Sequence, residues 1–140
     1  MAPLKTWKGR KRRGLSTVEA ALVVPLILLL TFGVMEYGWM FLKAQQISNA
    51  ARHGARTAVR PGATNAEVVD AVSNLLTAAD LGGSGYSVNL TPADVSTPET
   101  GEAVTVQVSV PGSSVTLFGG SFLPRPAALS SSVTMAKEGP

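Results

Sequence analysis

Few side chains in this sequence are equipped to do chemistry, and they are quickly surveyed. There is a single histidine, His53, set between Arg52 and Gly54, and there is no cysteine. Disulfides, thiolate metal sites and cysteine nucleophiles are therefore excluded. A lone histidine beside an arginine reads as a surface residue, because no second histidine and no close carboxylate cluster stands by to complete a metal site. Serines are plentiful, but none lies in a nucleophile-elbow context. The run Gly82-Gly83-Ser84-Gly85 lies between a helical and a strand pattern. That is the wrong order for a phosphate-binding loop, and it lacks the lysine. The expectation is a protein that is not an enzyme, with no catalytic residue, no metal and no cofactor.

What remains is a pair of carboxylates, Glu19 and Glu36, bracketing residues 20–35, which carry no charge at all. The two lie 17 positions apart, which on a helix rising about 1.5 Å per residue is roughly 26 Å. A bilayer core is ~30 Å thick, so both carboxyl groups fall near head-group depth. Carboxylates at such positions snorkel to the interface or face other protein, and Glu19 and Glu36 are candidate contacts with other helices of an assembly. Glu19, in the expected first turn, would also complement the helix dipole.

The elements that position these groups follow from charge and periodicity. Residues 1–14 hold Lys5, Lys8, Arg10, Lys11, Arg12 and Arg13 and no acid, whereas the rest of the chain has six basic residues against nine acidic ones. The formal net charge of +3 thus belongs to a short leader. Abutting an apolar run, such a leader orients a membrane helix with its N-terminus in the cytoplasm and does not call for nucleic acid. Residues 15–42 read as one membrane-spanning helix, with Tyr37, Trp39 and Phe41 as an interfacial belt and Lys43 just beyond. Pro25 and Gly33 are tolerable there, and Pro25 is a site for a kink. No small-x-small site follows the run before residues 36–39, so it is expected to stay as an anchor and not to be removed as a secretory signal.

The helix is expected to continue through residues 43–60 as a stalk, with a mild apolar stripe of Ile47, Ala50, Ala51, Ala55, Ala58 and Val59. Arg52, Arg56 and Arg60 recur at spacing four on a solvated or phosphate-facing side, and Pro61-Gly62 ends the run. Thr64-Asn65-Ala66-Glu67 is a capping box opening a second helix whose apolar positions are Val68, Val69, Val72, Leu75, Leu76 and Ala79. The segment from Asp80 to Gly85, with three glycines, closes it and leads into different material. From Tyr86 the period becomes two. Tyr86, Val88 and Leu90, then Val104, Val106, Val108 and Val110, then Leu129, Ser131, Val133 and Met135 define three half-buried strands. Phe118, Phe122 and Leu123, in the last connection, cover the core edge or meet a partner. The fold class is α+β: a long N-terminal transmembrane and stalk helix, a second short helix, and a small three-stranded antiparallel sheet. Its domains are a basic cytoplasmic leader (1–14), a transmembrane helix (15–42), a helical continuation (43–60) and an extracytoplasmic α+β domain (61–140).

Cleavage after Gly14 would leave Leu15 as the first residue of the mature chain and Glu19 as its fifth. This resembles the processing site of type IV prepilins, a basic leader ending in glycine before a hydrophobic segment with glutamate at mature position five. The wider pattern resembles the TadE-like family, pseudopilin-like proteins of the tight-adherence (Flp-type) pilus system. It is carried by Val18-Glu19-Ala20-Ala21-Leu22-Val23-Val24-Pro25, Phe32-Gly33-Val34-Met35-Glu36-Tyr37-Gly38 and Asn49-Ala50-Ala51-Arg52-His53-Gly54-Ala55-Arg56. Ala20 departs from the small pilins, which have tyrosine after the glutamate, and argues against a major pilin. The resemblance implies a pilin-like fold and a minor membrane subunit of pilus assembly. Gly14 and Leu15 would form the prepilin peptidase site. Glu19 would pair with the N-terminal amine of a neighbouring subunit, which spares both a lone buried charge. The implied partners are the lipid bilayer, other pilin or pseudopilin subunits, the assembly machinery and the peptidase. The implied location is the inner (cytoplasmic) membrane, single-pass, with the C-terminal domain periplasmic or extracellular. The alternative is an unprocessed single-pass protein presenting an extracytoplasmic binding domain.

Overall fold

The computed structural model describes residues 13–119 and 124–139. Most of the basic leader, and with it Phe122 and Leu123, lies outside the described residues. The chain forms two compact units, residues 1–34 and residues 35–140.

Helix α1 runs from Arg13 to Ala58, 46 residues, with Pro25 inside it. The helical run continues through the proline, and Thr31 donates its hydroxyl to the Ile27 carbonyl at 2.8 Å. In the first unit the described side chains of α1 are exposed except at Gly33. Leu22, Leu26, Leu29 and Leu30 are among the most exposed apolar residues of the chain. A helix apolar on every side has no polar face to turn to water, and α1 is long and apolar enough to cross a membrane.

The second unit is built on the remaining turns of α1. Helix α2 (Asn65–Ala78) starts at Thr64. Its hydroxyl accepts from the Glu67 amide at 3.4 Å, while the Glu67 carboxylate accepts from the Thr64 amide at 3.0 Å. The expected capping box is therefore formed on both sides. Of the expected apolar stripe, Val68, Val72 and Leu76 are fully buried and Val69 and Leu75 stay exposed. α2 ends where the expected closing segment begins. The left-handed closing residue is Asp80 (φ 57°), not a glycine. The Leu81 amide donates to the Leu76 carbonyl at 2.7 Å and the Asp80 amide to Thr77 at 3.0 Å, which makes a Schellman closure. Aspartate tolerates this conformation better than most residues with a Cβ.

Three strands follow: β1 (Ser87–Thr91), β2 (Ala103–Pro111) and β3 (Ala128–Ala136). They form an antiparallel meander in the order β1-β2-β3. Val106 lies opposite Leu90 on one side and Val133 on the other. The alternation expected from the sequence is observed: Val104, Val106, Val108 and Val110 are fully buried on the central strand, with partly buried Val88, Leu90, Val133 and Met135 beside them. On the outer face Thr105 and Thr134, directly opposed, share a hydrogen bond of 2.8 Å. β2 ends in a short turn whose Gly112 donates to Ala127 at 2.8 Å, and a Cβ there would run into the Pro126 carbonyl.

The core joins α1, α2 and the valine face of β2. α1 contributes Ile47, Ala50, Ala51, Ala55 and Ala58, so its later turns are part of the core. At Gly54 a Cβ would stand 2.6 Å from a methyl of Val72 and 3.3 Å from one of Val106. The missing side chain lets the helix approach both neighbours at one point.

A candidate membrane and assembly site

The Gly14–Leu15 bond lies in the first turn of α1. The helix begins at Arg13, two residues before the expected start. Glu19 is therefore in its second turn, and the first turn holds no acidic residue. In the unprocessed chain the dipole argument for Glu19 is weakened accordingly, since that effect fades beyond the first turn. Glu19 is exposed within an exposed apolar stretch.

Glu36 has a different environment. Its side chain is 6% exposed. One carboxylate oxygen accepts from the amides of Leu117 (3.2 Å) and Phe118 (3.1 Å), and the other from Leu117 (3.3 Å). A buried carboxylate needs such donors, and consecutive amides supply them without a counter-charge. One residue on, the Tyr37 hydroxyl donates to the Pro124 carbonyl at 2.9 Å. Where the sequence reading places Glu36 against another helix or at the outer interface, within this chain it binds a loop of its own domain.

Glu36 belongs to a buried face that continues through Met40, Lys43, Ile47 and Ala50. The spacing alternates between three and four, as it must for one side of a helix. Lys43, expected just beyond the membrane interface, is 4% exposed. Its ammonium donates to the Ala79 carbonyl at 2.6 Å and lies 4.7 Å from the centroid of the Trp39 ring. Lys137, which the sequence did not single out, is 8% exposed. It donates to the carbonyls of Ala58 (3.0 Å), Arg60 (3.1 Å) and Val95 (2.8 Å). Each lysine thus satisfies backbone carbonyls at a helix C-terminus, Lys43 at α2 and Lys137 at α1, where the dipole also favours a cation.

His53, Arg52 and Arg56 are exposed, as expected, and with Asn49 they line an open surface depression. Among the described residues no three His, Asp or Glu side chains are grouped so as to hold a metal ion.

Residues 14–56 match the family model of TadE-like protein. Over these residues the chain is similar to that family. The finding agrees with the resemblance read from the sequence, and the matched residues include Glu19, Glu36, Lys43 and Gly54. No curated protein and no solved structure gives a significant match. The TadE-like segment coincides with nearly all of α1. It therefore supplies two things from one helix: an exposed apolar length able to cross a bilayer, and a small-residue face that α2 and β2 pack against. The sheet itself lies outside the matched residues.

Proposed function

We propose that this protein is a minor, pseudopilin-like subunit for assembly of a tight-adherence pilus. It is anchored in the inner membrane by α1, with its N-terminus cytoplasmic and residues 61–140 outside. The observation that carries this reading is the TadE-like match itself, which begins at Gly14, the residue after which a prepilin-type peptidase would cut. Charge supports the orientation, since the leader is wholly basic and the rest of the chain is net acidic. The role is structural: the exposed apolar turns of α1 pack among other pilin helices, and Glu19 pairs with a neighbour's freed amine.

The test is N-terminal sequencing and intact mass of the protein extracted from cells carrying an active prepilin peptidase. The expected mature chain begins at Leu15. In the same cells Glu19→Val is expected to insert normally and to reduce piliation at least severalfold. A chain that retains residues 1–14 would reduce the protein to an unprocessed single-pass anchor for a binding domain, and normal piliation in the Glu19 variant would remove the pairing role.

A further inference from the structure

Outside α1, the most exposed large apolar side chains among the described residues are consecutive: Leu117 at 44% and Phe118 at 52%. They are not on a loose loop tip. Glu36 holds both of their amides, and Tyr37 holds the Pro124 carbonyl, so neighbouring residues of one helical turn fix both sides of the connection. That same turn exposes Met35 and Tyr37, and the next exposes Phe41 and Leu42. Residues 112–119 contain no charged side chain, and the first charge that follows, Arg125, is exposed.

We propose that Leu117 and Phe118 form a second membrane contact, seated in the interfacial region of the bilayer next to the point where α1 emerges, with Glu36 as the clamp that holds them there. The proposal rests on the reading that residues 15–42 span the membrane. A lipid surface is the occupant that fits, because Glu36 and Tyr37 tie this connection to a turn of α1 that exposes Met35 and Tyr37 and lies within the residues read as the membrane span. Leucine and phenylalanine gain by leaving water for the acyl boundary. Tyr37 and Trp39 have the amphipathic shape favoured at that depth, and Arg125 suits lipid phosphates. The clamp also eases the burial of the Glu36 charge: a carboxylate that accepts from two amides tolerates a poorly hydrated site better than a free one. The device would keep the domain seated on the bilayer while α1 assembles with partner helices.

The chain has no cysteine, so single-cysteine variants can carry an environment-sensitive NBD label in the full-length protein. Leu117→Cys, Phe118→Cys, Leu29→Cys and Ser132→Cys are reconstituted into vesicles of phosphatidylcholine and phosphatidylglycerol. Part of the phosphatidylcholine is spin-labelled high on the acyl chain. Labels at positions 29, 117 and 118 are expected to be quenched severalfold and the label at 132, on the outer face of the sheet, to remain aqueous. Adding Glu36→Leu is expected to at least halve the quenching at 117 and leave position 29 unchanged. Quenching at 29 with aqueous labels at 117 and 118 overturns the proposal and leaves the membrane span standing. A dry but unquenched label at 117 also overturns it, since protein would then cover the patch. An unquenched label at 29 overturns the span itself, and this contact with it.

Discussion

In its first unit α1 carries leucine, valine and isoleucine on all sides and leaves them exposed; in its second unit the same helix buries a face made largely of alanine and glycine. The difference shows that how apolar a helix is does not say what it packs against. The pattern does. An all-round apolar surface has only lipid or other apolar helices to face, whereas a stripe at spacing three and four specifies one neighbour. The small residues of the stripe contribute little area themselves. At Gly54 the missing side chain instead admits Val68 and Val72 of α2 and Val106 of β2, all fully buried.

Large-to-small substitutions should separate the two regions most strongly. Leu76 is fully buried and Leu29 is 62% exposed. Leu76→Ala should therefore cost unit two about 3 kcal/mol, as deletion of a buried leucine side chain usually does. Leu29→Ala should change the same transition by less than about 0.5 kcal/mol. Urea unfolding in mild detergent micelles, followed by near-ultraviolet circular dichroism, compares them directly. Equal losses would show that the two lengths of α1 share one cooperative core.

The buried charges give a smaller effect and sharpen the same contrast, because among the described residues they lie in the second unit. Lys137→Met leaves three carbonyls without their donor, one of them only part-buried, and should cost about 2 kcal/mol. Lys43→Met leaves one, at Ala79, and should cost about 1 kcal/mol. The order is the prediction: if the Lys43 variant is the less stable, the cation over Trp39 matters more than the carbonyl.

The burial of Glu36 and of these lysines was not legible in the sequence, for a physical reason. Helices, strands and the capping box at Thr64 are written in local periodicity and spacing, and each was found where residue patterns put it. The buried face of α1 was read as starting at Ile47, because the preceding members at the same spacing are Lys43 and Glu36, and charge marks a position as exposed. Stepping back from Ile47 by four and three reaches Lys43, Met40 and Glu36, so geometry alone held the signal. What no local pattern holds is the partner. The amides of Leu117 and Phe118 are some eighty residues away from Glu36, and two of the carbonyls bound by Lys137, those of Ala58 and Arg60, need a donor only because α1 ends where it does.

The smallest expected effect contrasts two carboxylates of the same domain, Glu36 inside it and Asp94 on its surface. Asp94 accepts from the Ser96 amide at 2.9 Å and from the Ser96 hydroxyl at 2.7 Å. These bonds, the amide first, hold its carboxyl below the ordinary value of 3.8. They stabilise the turn that carries Val95 into the core and to Asn65, whose side chain receives the Val95 amide at 3.0 Å. Because the folded value is depressed, the contribution is present at neutral pH. It begins to fade as pH falls through the ordinary aspartate value, and it is lost below the folded one. Water competes for the same bonds at an exposed site, so the effect is slight. Asp94→Asn keeps an acceptor and removes the charge. The stability difference between the two proteins should be largest near pH 7 and should shrink towards about pH 3. Paired urea titrations across that range measure it. A difference that stays constant with pH would show that the carboxylate's charge does not hold this turn.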